Sequence, residues 1–240
     1  MLALFHVDNL PIEIGQSYLI DGDNGHHLSR VLRIEPGQEL LLSDGKGSWS
    51  RVRVSSLDKK SVSVTVLETG SQRALAITIT VIQALTKGDR AKEAIELLTE
   101  AGVDVIIPWQ SSRSIGRAEA GIEKLQTTAR ESSKQSRRFW IPEVREVATT
   151  ASVMGVIAAA DLAIVLHESA TMKFSDALMG LEGISSVVIV VGPEGGLTDE
   201  ELAVMQGAGG KVVLLGRPIL RSAHAGIAAI SAVSAALKIW

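Results

Sequence analysis

The chain has 240 residues, of which 46% are hydrophobic and 21% charged, and its formal net charge is −3. This composition is ordinary for a soluble protein with a buried core, and the charge argues against an overall electrostatic attraction to nucleic acid without excluding a local basic patch. The chain contains no cysteine, which excludes disulfides, thiolate metal sites and cysteine nucleophiles.

No targeting or membrane segment is evident. The N-terminus lacks the basic and apolar regions of a signal peptide. No apolar stretch reaches the roughly 18–20 residues that a membrane span requires. The sequence therefore predicts a cytoplasmic protein.

The first 70 residues have the pattern of a small β domain. Short runs of alternating apolar and polar residues are separated by glycine-, proline- and lysine-containing turns, as in antiparallel strands. The runs cover residues 39–42, 49–54 and 61–66. Residues 26–33 have helical spacing instead. We predict a small barrel with one short helix over residues 1–70 and a boundary in the polar stretch 68–73.

From residue 74 to residue 240, strands alternate with helices, as in an α/β domain. Such alternation predicts a mostly parallel sheet with helices on both faces. The predicted strands are 76–84, 103–107, 162–166, 187–191 and 211–215. The predicted helices are 89–101 with Asp89 as N-cap, then about 118–136, 150–159, 198–207 and 222–238. The last is apolar on all sides, which indicates burial in the core or against a second subunit.

One strand exit is rich in glycine. The β-branched run 187–191 leads into Gly-Pro-Glu-Gly-Gly at 192–196. Ligands of open α/β sheets bind at the carboxyl ends of strands, although a tight turn could equally require these glycines. The exits at 166–168 and 215–221 reach the same edge. With glycines, aliphatic residues and no cation at a helix N-terminus, such a pocket favours a flat, weakly charged ligand such as an adenosine.

Basic residues gather in one part of the chain. From Arg113 to Arg145 there are eight basic and four acidic residues, and Phe139 and Trp140 follow the densest part. Cations beside aromatic rings suit a phosphate backbone with a stacked base. A solvated helix end with buried aromatics would look the same. A weaker basic cluster in the β domain consists of Arg30, Arg33, Arg51 and Arg53.

The sequence offers little for metal or phosphate chemistry. It has no P-loop and no dinucleotide-binding fingerprint. His26 and His27 diverge on a helix and have no partner at ligand spacing, so no metal site is predicted. His167 and Glu168 follow a predicted strand, where they could line the pocket or simply end the strand.

Several motifs together resemble a known family. The Gly-Pro-Glu-Gly-Gly loop after a β-branched strand, and the later Leu-Gly-x-x-Ile-Leu-Arg before an apolar helix, resemble the SPOUT class of trefoil-knotted methyltransferases. Four further segments are similar to the small-subunit ribosomal RNA uridine-N3 methyltransferases of the RsmE type. They are His-His-Leu-x-x-Val-Leu-Arg at 26–33, Gln-Ala-Leu-x-Lys-Gly-Asp-Arg at 83–90, Gly-Val-x-x-Ile-x-Pro at 102–108 and Gln-Ser-x-Arg-x-x-x-Pro at 135–142.

The resemblance implies a fold and an activity. It implies a PUA-like barrel that helps to hold RNA, and a knotted domain that binds S-adenosylmethionine and forms a homodimer, with no metal. The reaction would be methylation of N3 of one uridine of 16S rRNA in the small ribosomal subunit. The alternatives are a SPOUT enzyme acting on a base or ribose of another RNA, and a non-catalytic ribosome-assembly factor with the same fold.

The resemblance and the three converging loops together predict the site residues. Arg221 or Arg138 would stabilise charge that develops on the uracil. Glu194 would accept a proton or contact the cofactor, unless it closes its own loop by bonding to backbone amides. The predicted cofactor contacts are Leu166, His167, Gly192, Glu194, Gly196, Leu215, Gly216, Ile219 and Leu220. The predicted RNA contacts are Arg30, Arg33, Lys87, Arg90, Gln135, Arg137 and Arg138.

The last loop departs from the family pattern. Many members have Leu-Arg-Thr-Glu-Thr-Ala where this chain has Leu-Arg-Ser-Ala-His-Ala at 220–225. Arg217 and Pro218 also stand where the order Pro-Arg is more usual. The Glu-Thr pair of the family therefore has no counterpart here, and the sequence does not assign the general base.

Overall fold

The computed structural model describes residues 2–116 and 121–240. The chain forms two compact units. The N-terminal unit comprises Met1–Ala74 and Ser133–Ile141, and the C-terminal unit comprises Leu75–Ser132 and Pro142–Trp240. A segment from the middle of the chain therefore belongs to the first unit, which the predicted boundary between 70 and 74 did not foresee.

The N-terminal unit is built on a five-stranded mixed sheet. Its strands are β1 (Leu4–His6), β2 (Ser17–Ile20), β3 (Glu39–Ser43), β4 (Ser48–Leu57) and β5 (Val62–Ser71), in the order β1-β3-β4-β5-β2. Only the β1–β3 pair is parallel. Alternate residues such as Leu40, Val52 and Val64 are fully buried. The sheet confirms the small β domain.

The short helix of this unit is longer and less regular than predicted. Helix α1 (Gly22–His26) continues directly into a π-helical turn over His27–Val31. The side chain of Leu28 is fully buried against the sheet core. The helical region thus begins four residues before the predicted start at residue 26.

The segment Ser133–Ile141 contributes aromatic side chains to the N-terminal unit. The ring of Phe139 stacks on that of Trp49, with centroids 5.7 Å apart and planes at 17°. The indole N–H of Trp140 donates to the carbonyl of Gln72 at 3.0 Å. A Cβ on Gly47 would lie 2.6 Å from the Trp140 ring, so only glycine fits there. Both aromatic residues therefore have partners within the protein.

The C-terminal unit contains a six-stranded, fully parallel sheet. Its strands are β6 (Thr78–Ala84), β7 (Val105–Trp109), β8 (Glu143–Val144), β9 (Leu162–Leu166), β10 (Ser186–Val191) and β11 (Lys211–Val213). They are arranged in the order β11-β9-β10-β6-β7-β8. All five predicted strands are present, although β7 lies two residues later than predicted. Strand β8 was not predicted.

Six helices accompany this sheet among the described residues. They are α2 (Asp89–Glu100), α3 (Ile122–Gln135), α4 (Thr150–Ala159), α5 (Phe174–Ala177), α6 (Asp199–Gly207) and α7 (Ser222–Ala236). The predicted start of α3 at residue 118 lies outside the described residues. The prediction of Asp89 as N-cap was wrong. Gly88 occupies the cap at φ +63°, a conformation that favours glycine, and Asp89 is the first helical residue.

The two faces of the parallel sheet carry separate cores. Along β10, Val187, Ile189 and Val191 face one core, and Val188 and Val190 face the other. Helices α2 and α7 pack on the first face, and α4 and α6 on the second. A strand buried on both faces has to be apolar at every position. The structure confirms the predicted α/β architecture with helices on both faces.

The residues that follow β11 contact two separate parts of the C-terminal unit. Strand β11 lies beside β9 at the sheet edge, whereas α7 returns to pack on β10 and β6. On the way, Leu214 pairs with the β9–β10 connection. Its N–H donates to Met172 O at 2.8 Å, and its carbonyl accepts from Phe174 N at 3.0 Å. These connections agree with the trefoil-knotted fold expected from the resemblance.

Candidate functional site

A cavity of about 440 Å³ lies at the carboxyl ends of β9, β10 and β11. Its volume is within the usual range for small-molecule sites, about 300–1,000 Å³. Three loops form its walls, as predicted. All nine predicted cofactor contacts line it, together with Arg221 and Ser222. The loops converge because parallel strands end at the same edge of a sheet.

The glycine loop, residues 192–196, requires glycine at one position for space and at another for backbone conformation. A Cβ on Gly192 would lie 3.1 Å from the side chain of Leu197, which is buried. Gly196 has φ +72°, in the left-handed region that L-residues rarely adopt. The main chain therefore forms this wall of the cavity without intervening side chains.

The opposite wall is apolar and exposed. Ile219 and Leu220 line the cavity while 80% and 42% of their surfaces remain exposed. Exposed apolar surface next to a cavity is typical of a ligand site. The walls are mainly glycine and aliphatic, and the described residues contain no group of three His, Asp or Glu side chains able to hold a metal ion. This environment fits the adenosine part of a nucleoside cofactor.

Buried, uncharged groups fix the start of the glycine loop. The side chain of Gln83, at the end of β6, donates from Nε2 to the hydroxyl of Ser222 at 2.9 Å. The hydroxyl of Ser222 donates to the carbonyl of Gly192 at 2.6 Å. Gln83 and Ser222 are 5% and 8% exposed. Sequence reasoning noted Gln83 only as part of a family motif and gave Ser222 no role.

The far end of the loop is held by a buried carboxylate at the start of α6. Thr198 and Glu201 form a capping box, in which the Glu201 side chain accepts from Thr198 N at 3.0 Å. The other oxygen of Glu201 accepts from Ser112 N at 2.8 Å. Only 3% of Glu201 is exposed. The sequence analysis did not single out this residue.

Two arginines also reach the far end of the loop. Arg113 donates from Nη1 to the carbonyls of Gly195 and Leu197, at 3.0 and 3.4 Å. Arg90 forms an ion pair with Glu194 at 3.0 Å between Nη1 and Oε1. The described partner of Glu194 is thus a guanidinium rather than the backbone amides considered as the alternative. Arg90, predicted to contact RNA, is already paired in this structure.

Two further polar side chains that line the cavity are those of His167 and Arg221. His167 Nδ1 lies 2.9 Å from the hydroxyl of Ser169, and its Nε2 lies 3.9 Å from Glu168. Arg221 is exposed, occupies the cap position before α7 and makes no side-chain capping bond. Glu200 lies exposed at the start of α6. Hydrogen bonds from the backbone N–H of Glu200 and from the Thr198 side chain lower the pKa of its carboxyl group.

The predicted RNA contacts fall in both units. Lys87 and Arg90 belong to the C-terminal unit. The others belong to the N-terminal unit and are Arg30, Arg33, Gln135, Arg137 and Arg138. Arg33 and Arg137 have φ values of +50° and +56°, which are uncommon for residues other than glycine. Arg138 is half-buried, and its N–H donates to Ser133 O at 2.9 Å.

Half of the weaker basic cluster is neutralised by acidic neighbours. Arg51 pairs with Glu39 at 2.9 Å and with Glu68 at 2.8 Å, and Arg53 pairs with Glu39 at 2.8 Å. Hydrogen bonds from the two guanidinium groups lower the pKa of Glu39. Cross-strand ion pairs on β3, β4 and β5 therefore account for these two arginines. No such ion pair is described for Arg30 and Arg33.

Comparison with known proteins agrees with this architecture. Residues 73–234 match the RNA methyltransferase domain family, and residues 20–67 match the RNA methyltransferase PUA domain family. The ribosomal RNA small subunit methyltransferase E of Mycobacterium bovis is 37% identical, covering 99% of this chain and 93% of its own length. The Bacillus subtilis protein of the same name is 31% identical, covering 93% and 91%.

Solved structures agree as well. The ribosomal RNA small subunit methyltransferase E of Neisseria gonorrhoeae, bound to S-adenosylmethionine, superposes with a TM-score of 0.86 at 27% identity. The match covers 100% of this chain and 98% of that one. The fold, the two matched domain families and the full-length similarity lead to one assignment. The chain belongs to the ribosomal RNA small subunit methyltransferase E family.

Proposed function

We propose that this protein transfers the methyl group of S-adenosylmethionine to N3 of one uridine of 16S rRNA in the small ribosomal subunit. The observation that carries this proposal is the cavity at the ends of β9, β10 and β11, lined mainly by glycine and aliphatic residues, in a chain of this family. The M. bovis and N. gonorrhoeae relatives are named for methylation of small-subunit ribosomal RNA, and the latter was solved with S-adenosylmethionine.

The walls of the cavity suit this cofactor. Main-chain groups of the glycine loop and of residues 215–220 can bond the adenine and ribose edges, and Ile219 and Leu220 can cover the flat base. The bound cofactor supplies an activated methyl group, so the protein does not need to activate the methyl donor. Its own residues have to place the uridine and handle one proton.

Arg221 is suited to stabilise the uracil during transfer. Loss of the weakly acidic N3 proton leaves negative charge on O2 and O4. A guanidinium at the cavity rim can stabilise this charge without changing its own protonation state. Arg221 lines the cavity and its side chain makes no capping bond there. Arg138, in the N-terminal unit, is the second candidate for the same role.

Glu194 is the candidate proton acceptor. Its Oε1 accepts from Arg90, so Oε2 is the oxygen that would take the N3 proton. A carboxylate that lines the cavity can accept this proton directly or through one water if the uracil N3 lies within hydrogen-bond reach. The alternative is that Glu194 only contacts the cofactor.

The RNA would be held by both units. The paired edge of a uridine is inaccessible in a helix, so the target base has to be unpaired or flipped out. The basic residues Arg30, Arg33, Arg137 and Arg138 of the N-terminal unit can bind phosphates, with Lys87 as a further contact in the C-terminal unit.

We expect the protein to be cytoplasmic and to form a homodimer through the knotted domain. Sedimentation analysis tests the dimer. No helix of the described residues is long and apolar enough to cross a membrane.

A transfer assay tests the proposal. Purified protein is incubated with labelled S-adenosylmethionine and either undermethylated small subunits or naked 16S rRNA, and the nucleosides are analysed by mass spectrometry. We expect 3-methyluridine. A methylated ribose or another base would indicate the alternative SPOUT activity. Absence of cofactor binding in calorimetry would indicate the assembly factor.

Arg221→Ala tests the catalytic assignment in the same assay. Loss of one group that stabilises transition-state charge typically lowers kcat by about 100- to 1,000-fold. The matched control is Arg217→Ala, because Arg217 is an exposed arginine of the same loop that does not line the cavity. We expect the control to keep its activity and both variants to retain cofactor affinity. Unchanged kcat in Arg221→Ala would remove Arg221 from the mechanism.

A further inference from the structure

The start of the glycine loop is connected to β6 and α7 by a directional chain of hydrogen bonds. The amide of Gln83 donates to the Ser222 hydroxyl, which donates its single proton to the carbonyl of Gly192. Each donor faces an acceptor, so the chain has one arrangement. Because Gln83 and Ser222 are buried, water does not compete for these bonds.

The geometry points to Gln83 as a positioning residue of the cofactor site, acting through Ser222 on the peptide of Gly192. The inference rests on the proposed function and deepens it. Gln83 is absent from the cavity lining, whereas Ser222 and Gly192 belong to it. Gln83 therefore influences the cavity by holding the groups that form its wall.

Orientation of this peptide matters because the wall is main chain. Fixing the carbonyl of Gly192 fixes the peptide plane that leads into Pro193, whose ring restricts φ. It thereby helps to determine which N–H and C=O groups of the loop face the cavity. A glycine has no side chain to do this, so the constraint has to come from neighbouring residues. Pre-oriented polar groups bind more tightly because less ordering is needed on binding.

The register of the sheet explains why Gln83 reaches this place. Gln83 lies beside Val191 of β10, the residue that precedes Gly192. A Cβ on Gly226, one turn into α7, would lie 2.6 Å from Leu98 Cδ2, so glycine lets α7 pack closely on Leu98 of α2. The same Cβ would lie 3.7 Å from Gln83 Oε1, an ordinary contact distance, so the Gln83 amide lies beside α7 at this point. Ser222, one turn earlier on α7, supplies the hydroxyl that the amide reaches.

Four single variants and the double variant of Gln83→Met with Ser222→Ala test this inference. Ser222→Ala removes the relay hydroxyl, Ser222→Thr keeps it, and Gln83→Met keeps the length of the side chain without its amide. Ser231→Ala is the matched control. It removes a hydroxyl of the same helix that donates to a carbonyl, that of Ile227 at 2.8 Å. Cofactor affinity is measured by calorimetry, and amide hydrogen exchange of residues 194–197 is measured without cofactor.

We expect Ser222→Ala to bind S-adenosylmethionine about tenfold more weakly and Gln83→Met about fivefold more weakly, the equivalents of about one to one and a half kcal/mol. The double variant should match Ser222→Ala, because both changes break the same chain. Exchange at 194–197 should accelerate in these variants and remain unchanged in Ser222→Thr and Ser231→Ala. The KM for RNA should be unaffected.

Three results would overturn the inference. They are wild-type affinity and exchange in Ser222→Ala or in Gln83→Met, losses in Ser222→Thr as large as in Ser222→Ala, and additive losses in the double variant. The proposed function fails differently, because then the wild-type protein itself would bind no cofactor. Hydrogen exchange in the cofactor-free protein would still decide whether Gln83 and Ser222 hold the loop.

Discussion

The two ends of the glycine loop are held by opposite kinds of chemistry. At Gly192 the anchors are buried and neutral, a glutamine amide and a serine hydroxyl. From Glu194 onwards the anchors are charged, namely two arginines at the surface and the buried Glu201. Salt screens exposed charges but hardly affects buried neutral hydrogen bonds. Ionic conditions should therefore act on one end of the loop and leave the other unchanged.

The largest effect is expected for the buried carboxylate. Glu201→Ala leaves the N–H groups of Ser112 and Thr198 without their acceptor. Two lost charge-assisted hydrogen bonds at a helix start should lower the free energy of unfolding by about 2–4 kcal/mol. Urea denaturation measures this change.

Asp199→Ala is the control for this prediction. Asp199 is an acidic residue of the same helical turn, but it is exposed. Removing its favourable interaction with the helix dipole should cost no more than about 1 kcal/mol. If the two substitutions lowered the free energy of unfolding equally, the hydrogen bonds of Glu201 would add nothing to the favourable interaction of a negative charge with the helix dipole.

A smaller effect is expected at Arg113. Arg113→Ala removes the donor of two loop carbonyls, those of Gly195 and Leu197, and should weaken S-adenosylmethionine binding about three- to tenfold. Arg113→Lys should recover little, because one ammonium group does not reproduce the spread donors of a guanidinium. Calorimetry gives the affinities, with the exposed Lys211→Ala as control. Full recovery by lysine would show that charge, not geometry, is what matters.

The smallest effect is expected for the Arg90–Glu194 ion pair. The side chain of Arg90 is 55% exposed and that of Glu194 24%, and surface ion pairs contribute about 0.2–1 kcal/mol. A double-mutant cycle with Arg90→Ala and Glu194→Ala, followed by urea denaturation, should give a coupling energy in this range at low salt. The coupling should shrink in 0.5 M salt, where the screening length is only about 4 Å.

The same measurement on Gln83 and Ser222 sharpens the comparison. The coupling energy between Gln83 and Ser222 should not change with salt. Equal salt dependence of the two double-mutant cycles would contradict the distinction between the two ends of the loop.

The Glu194→Ala variant also tests the role of Glu194 in the reaction. Unchanged cofactor affinity and unchanged turnover would remove Glu194 from the mechanism.

Much of the fold was predictable because it depends on local patterns. The continuous apolar run 187–191 identified a strand buried on both faces, and β10 lies there. The misses are short elements. Strand β8 has two residues and α5 has four, too few for either periodicity to be recognised. At α2 we predicted Asp89 as the N-cap from the capping propensity of aspartate. The N-cap is Gly88 instead, because the backbone there has a positive φ that favours glycine.

The site was predictable where it depends on strand ends and unpredictable where it depends on distant partners. Because parallel strands finish at one edge, their exit loops had to meet. The partners that fix those loops are far away in sequence. Gln83 and Ser222 are 139 positions apart, and Arg113 and Gly195 are 82 apart. No local pattern connects residues at such separations.

The aromatic segment of the N-terminal unit has a consequence for how that unit forms during synthesis. All five strands of its sheet have been translated once Ser71 is made, but Phe139 and Trp140, which cover Trp49 and Gly47, follow much later. Until then the Trp49 ring of the nascent sheet lacks its stacking partner, and a fragment ending at Ala74 would never acquire it. Completion of the first unit therefore has to wait for translation of a large part of the second.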